Sequence, residues 1–396
     1  MWWRRNNPGW ATLLAASAAA GLMMLPPNAS SHETLTTTVL FDREIVRILE
    51  KHCVMCHFEK GPAFPLETWD QTWLHARKIR SEAIARHMPP WSAFPGYGEF
   101  ANDNGLTLRE TQFLVSWVEG SGPRNAGTIF TNVADPNAPR RQEVRAQADF
   151  SRWQMGMPDL QVEVPRHAVE PQPAEHVERM VIDLGLTAER RIRGLEYMPG
   201  DRRVVAAAFF TIAESGQWVG SWTPWYGFLS LPKGTAWRLP AGSHLAAEIH
   251  YRGTAERVVD RGTIGLYFAE VAATDAASDL ILEAKGAAQG GALQKIRAAT
   301  RLAANTYAVA LRPEVRPGVQ SIEVSARKPD GTTEVMLFVK NIRLDWPTAY
   351  VFKEPVLLTR GSELAVTAYY ANAGAGSQNV RLTVSAYAKG GGRAIR

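Results

Sequence analysis

The sequence predicts an α + β multidomain protein, with a small all-α domain over residues 32–124 and two antiparallel β-sandwich domains over 150–275 and 290–388. Three observations carry this. Before residue 125, apolar residues recur at helical spacing. Beyond residue 150 they fall into short alternating or β-branched runs punctuated by Gly and Pro. Between them, residues 125–149 are polar, rich in Pro, Asn and Ala, and without period, which reads as a linker. A chain of 396 residues, 45% hydrophobic and 21% charged, is large enough to bury more than one core.

Residues 1–31, "MWWRRNNPGWATLLAASAAAGLMMLPPNASS", join a basic start to an apolar run. At about fifteen residues the run is short of the roughly 20 that a spanning helix needs, so it reads as an export signal. An uncleaved anchor is the lesser alternative, because no A-x-A site stands out before Ser30. No later segment is apolar enough to cross a membrane, and the mature protein is expected to be periplasmic or otherwise exported. Without Arg4 and Arg5 there are 42 basic residues against 39 acidic ones, scattered along the chain, which excludes a nucleic-acid footprint.

Helical spacing of Phe41, Ile45, Ile48 and Leu49 predicts a helix in "FDREIVRILEKH". "LETWDQTWLHARKIRSEAIA" is a second helical stretch. "LTLRETQFLVSWVEGSGP" is a third, with Thr107 as N-cap and a stop at Gly120 and Gly122. The first runs into the only two cysteines, Cys53-Val54-Met55-Cys56-His57. A disulfide here would close a very short loop and stabilise little. Zinc wants three or four ligands, and no second pair at ligand spacing is present. A thioredoxin-like redox site follows a strand in a βαβ pattern, which is absent. The remaining reading is C-x-x-C-H, a c-type haem attachment site: two thioethers from Cys53 and Cys56, and His57 as iron ligand. Three helices about a covalent haem c is the small cytochrome c arrangement. Its other axial ligand is commonly a methionine in a proline-rich loop, and "RHMPPWSA" supplies Met88 there, stiffened by Pro89 and Pro90. His87 is the rival, and Met88 is preferred because thioether ligation raises haem potential in electron carriers. His52 and His75 read as solvated helix residues.

The β region divides into two series of strands, from "LQVEVP" to "TIGLYFAEV" and from "TYAVALRP" to "ELAVTAYYA", separated by a softer stretch around 270–292. Aromatic residues concentrate in 215–237, where core packing is the expected role and a docking surface or apolar ligand cleft the alternative.

The stretches "MPPW", "LTLRETQFLVSWVEGSGP", "WQMGMPDLQVEVP", "YMPGDRRVV", "LPAGSHLAAEIHY", "PDG" and "RLDWPTAY" occur in an order that carries a resemblance. After the signal, the chain resembles bacterial fusions of a cytochrome c domain to a type II copper, ascorbate-dependent monooxygenase-like module. That module belongs to the peptidylglycine and dopamine β-monooxygenase superfamily, and the resemblance implies two jelly-roll domains. It also implies two coppers: one on a His-His pair after "PGxxRVV" plus a histidine in an "HY" strand, the other on His-x-His plus a late methionine. Here Ala206, Ala207 and Ala208 follow "PGDRRVV", the second motif reads Pro313-Glu314-Val315-Arg316, and no late methionine is present. Only His250 remains. His244 lies six residues before it on an alternating strand, roughly 20 Å away, too far to share an ion. No copper is therefore expected.

The sequence reading is an exported mono-haem c-type cytochrome that transfers electrons to a redox protein partner, with a copper-less monooxygenase-like scaffold for partner or ligand binding. It is not expected to be a competent copper monooxygenase by itself. Two alternatives stand beside it: an oxidoreductase subunit using haem or a partner-supplied metal, and a structural or assembly subunit of a heteromeric periplasmic redox complex.

Overall fold

The computed structural model describes residues 37–126, 144, 146, 151–270, 275–286, 294–371 and 378–389. The expected signal (1–31) and nearly all of the expected linker (125–149) lie outside the described residues. None of the described helices is long and apolar enough to cross a membrane.

The expected fold class is corrected. The described residues are mostly β, 45% strand against 13% helix, in four sheets, and among them no separate all-α domain is evident. A π-turn at Phe41–Ile45 leads into α1 (Val46–His52), followed by α2 (Trp69–Leu74), α3 (Ala76–Ala85) and α4 (Leu108–Glu119). Helices of 6–12 residues are marginal alone and depend on tertiary packing. Thr107 caps α4 as the sequence predicts, through a capping box with Glu110, and Thr68 does the same for α2 with Gln71. Phe41, Ile45, Leu49, Leu114 and Trp117 form a small shared cluster.

The chain between α3 and α4 leaves that cluster. Trp91, Ala93 and Phe100 are buried in the core of the second β unit. Ala93 bridges Val339 and Phe100 bridges Phe352. Buried Asn102 donates to the Ala349 carbonyl at 2.6 Å and accepts the Val351 N–H at 3.0 Å. The helices are thus stitched onto a β unit by a loop whose aromatic residues have no period to announce their destination.

The two expected sandwiches share one sheet of nine strands. Its path is Leu160–Glu163, Thr263–Phe268, Arg190–Met198, Thr235–Leu239, Asp275–Gly286, Gln378–Tyr387, Thr306–Val315 and Tyr350–Leu358, with Phe228–Ser230 beside Arg190–Met198. The halves join through two parallel pairs, Asp275 with Thr235 and Ala276 with Ala236. Strand Asp275–Gly286 occupies much of the stretch that reads as soft in sequence. Small and acidic residues at its start hide it, and ten register pairs with Gln378–Tyr387 supply what local propensity does not.

Each half carries its own core against a four-stranded sheet. The first holds Trp218, Trp222 and Trp237, all at most 1% exposed, so these tryptophans of the aromatic stretch do pack a core. Its four-stranded sheet runs His176–Asp183, His244–Tyr251, Val205–Ile212, Trp218–Trp222. The second runs Gln294–Arg301, Glu363–Tyr370, Val319–Arg327, Thr333–Lys340.

Candidate functional site

Cys53 ends α1, and the backbone keeps turning after it. The N–H groups of Cys56 and His57 both donate to the Cys53 carbonyl at 3.0 Å. Residues three and four apart in such a turn share a side, which brings Cys53, Cys56 and His57 together. Met88 lies three residues beyond α3, where Arg86 turns left-handed at φ 58° and two buried prolines follow. All four side chains line one cavity of ≈ 340 Å³.

Both thiols are free. Burial, reinforced by Cys56 and Glu110, pushes the Cys53 thiol up to about 12. Burial also raises Cys56, against the opposing charges of Arg252 and Arg202. Burial thus keeps both thiols less acidic than a free cysteine. The His57 Nδ1 lies 2.8 Å from the Phe64 carbonyl, which can only accept, so Nδ1 carries the proton and Nε2 keeps its lone pair for a metal. Burial lowers the His57 pKa, partly countered by that same hydrogen bond, and this favours the neutral ligand form. Two free thiols, a tautomer-fixed imidazole and a thioether on one cavity fit the donor set of a haem c.

The rival ligand is elsewhere. The His87 side chain is 47% exposed, and its Nδ1 lies 3.3 Å from Glu82. His52 is corrected from solvated to buried, with Nδ1 3.0 Å from the Asn104 carbonyl and Nε2 3.2 Å from Glu110 Oε1. Burial opposes ionisation of Glu110, but hydrogen bonds from His52 and Thr107 outweigh it and hold the carboxyl well below its usual range.

Sequence reasoning missed that β residues complete the cavity wall. Arg252, Glu175 and Trp346 line it together with the cysteines. Arg252 follows strand His244–Tyr251, is 8% exposed, and lies over the Trp346 ring at 4.4 Å.

His250 sits in a different cleft, between the two β units. The register pairs it with Ala207, so positions the resemblance expects to share a copper are neighbours, but a methyl group stands opposite the imidazole. The His250 Nε2 lies 3.0 Å from Glu248 Oε1. That carboxylate also accepts from Arg179 at 2.9 Å and Arg312 at 3.2 Å, and Arg312 stacks on Phe209 at 3.9 Å. The His250 hydrogen bond, opposed by burial and aided by Arg312, holds Glu248 down to about 2. His244, on the same face, is bonded to Glu214 at 2.9 Å. A pairing that sequence reading overlooked is His167 with His176, whose Nε2 atoms lie 3.3 Å apart on the face of Tyr251. Among the described residues no third His, Cys, Asp or Glu joins them in a metal-holding group.

Asp279 accepts the Trp218 N–H at 2.6 Å, yet burial dominates and pushes its carboxyl up to about 7. A carboxyl raised on folding stabilises fully below its unfolded value, and that stability is lost as pH rises through the folded one. Asp279→Asn mimics the neutral acid, so at about pH 8 it is expected to exceed the native protein in stability by about 4 kcal/mol. The difference should vanish near about pH 4, and urea unfolding at both pH values measures it.

No family model matches the chain, and no curated protein does. Among solved structures, the major capsid protein P2 from bacteriophage PM2 is similar at a TM-score of 0.25 and 11% identity, over 56% of this chain and 97% of that one. The PBSX exported protein XepA is similar at 0.17 and 10% identity, over 62% of this chain and 90% of that one. Both likenesses are too slight to carry an argument about function.

Proposed function

We propose that this chain is an exported electron-transfer protein in which Cys53 and Cys56 would hold one covalent haem c, His57 and Met88 would serve as its iron ligands, and the β units would be the scaffold for a redox partner. The observation that supports it is the convergence of those four side chains on one cavity, with the His57 Nε2 left as acceptor. Cys53 and Cys56 would hold the haem by adding their S–H bonds across its two vinyl groups, which would need no oxidant and no leaving group. When bound, the haem supplies one-electron exchange at an iron whose potential the His/Met pair raises.

The same reading takes the β units as a monooxygenase-like scaffold without resident copper. The positions expected to hold the metals carry alanine, proline, glutamate, valine and arginine, and His250 is engaged with Glu248. Copper affinity rests on several oriented donors, which one imidazole cannot replace.

Protein exported from a host that attaches haem, then loaded with excess copper and dialysed, is expected to hold one iron and well under one copper per chain. It should take up one electron reversibly and consume no oxygen with ascorbate and a peptidyl or catechol substrate. Stoichiometric copper with ascorbate-dependent hydroxylation would overturn the reading.

A further inference from the structure

Arg252 is the least satisfied cation at the candidate site. It is 8% exposed, and neither terminal nitrogen of its guanidinium has a hydrogen-bond partner among the described residues. Its backbone N–H is held by the Val204 carbonyl at 2.7 Å, and its planar group lies on Trp346 at 4.4 Å, so the side chain is anchored and aimed. Taking a guanidinium out of water without pairing costs several kcal/mol in effective terms. Nearby acids leave it unpaired. Asp345 is taken up by Arg343, whose Nε donates to it at 2.8 Å, and among the described residues no ion pair joins Glu175 to Arg252. A rigid fork of N–H donors with no acceptor is built for a planar, two-oxygen anion.

The anion it faces follows from the cavity it lines. Cys53, Cys56, His57 and Met88 open onto the same space as Arg252. A haem held there brings two propionate carboxylates of its own. We infer that Arg252, from the end of a strand in the first β unit, receives a haem propionate as a bidentate partner and so positions the cofactor across the junction between the helices and the sheets. This rests on the haem reading above. Arg202, which donates to the Pro224 carbonyl at 2.7 Å and acts electrostatically on the Cys56 thiol, adds positive charge on the same side.

The consequence is measurable. A fixed cation near the haem favours the reduced form, which carries one positive charge fewer. Arg252→Gln removes the cation and strands the carboxylate. It is expected to shift the one-electron equilibrium about tenfold toward the oxidised protein, a fall of about 59 mV. Arg252→Lys keeps the charge but not the fork, and is expected to stay within about twofold of the native equilibrium.

The experiment uses the full exported chain, with haem labelled at the propionate carboxyls by carbon-13 δ-aminolaevulinate. Redox-difference infrared spectra and potentials are recorded for the native protein and both variants. The inference expects the label-sensitive carboxylate band to move in Arg252→Gln and Arg252→Lys alike, with the potential falling only in the former. Native-like bands in either variant, with haem still covalently attached, overturn it while leaving the haem reading intact. A native protein with no covalent haem overturns both. If Arg252→Gln does not accumulate, the Lys variant decides by its carboxylate band alone.

Discussion

Replacing Cys53 and Cys56 together by alanine is expected to abolish covalent haem: the exported protein should lose the mass of one haem and yield no acid-resistant red colour. The effect is all or none because no other cysteine exists in the chain to form a thioether. His57 and Met88 would still line the cavity, so some haem could enter reversibly, and acid-acetone extraction separates that population from attached cofactor. Single replacements should each leave one thioether and a coloured protein. The double variant is also expected to be less stable, since the helical cluster around Phe41, Leu49 and Trp117 is small and anything bound to the folded state stabilises it. Acid-resistant colour in the double variant would sink the attachment assignment.

Much of this site was legible because its information is local. A motif of five residues, a helix leading in and a Met-Pro-Pro loop are readable from spacing, as were the Thr107 cap and the stop at Gly120. What was not legible depends on register between distant segments. Trp91 and Phe100 look like loop aromatics until Val339 and Phe352 arrive beside them. The expectation of a separate helical domain failed for that reason: periodicity reports that helices exist, and is silent on where the chain between them docks. Arg252 and the His167–His176 pair were hidden likewise, since strand pairing places them and neither belongs to a local motif.

The second large effect is expected at Met88. Met88→Ala should abolish the weak near-infrared sulfur-to-iron band of the oxidised protein and open the iron to carbon monoxide. The potential should fall by an appreciable part of the ~0.8 V span that axial ligands cover. Loss of a thioether removes the ligand that favours reduced iron, and Ala has no donor atom to take its place. His87→Ala is the control. That imidazole is 47% exposed and faces Glu82, so band, potential and carbon monoxide binding should be unchanged. Should the His87 variant lose the band instead, the ligand assignment passes to the neighbouring residue.

The stitch between residues 93–102 and 339–352 also fixes an order of events. Those partners are separated by about 250 residues, so the loop bearing Met88 has no seat until nearly the whole polypeptide has emerged. The cysteines and His57 need no such wait, for their turn closes within five residues. A chain made or exported from its N-terminus would therefore offer its thiols early and its thioether late. The lining of the cavity would thus be completed in two stages, the turn of Cys53, Cys56 and His57 first and the Met88 loop last.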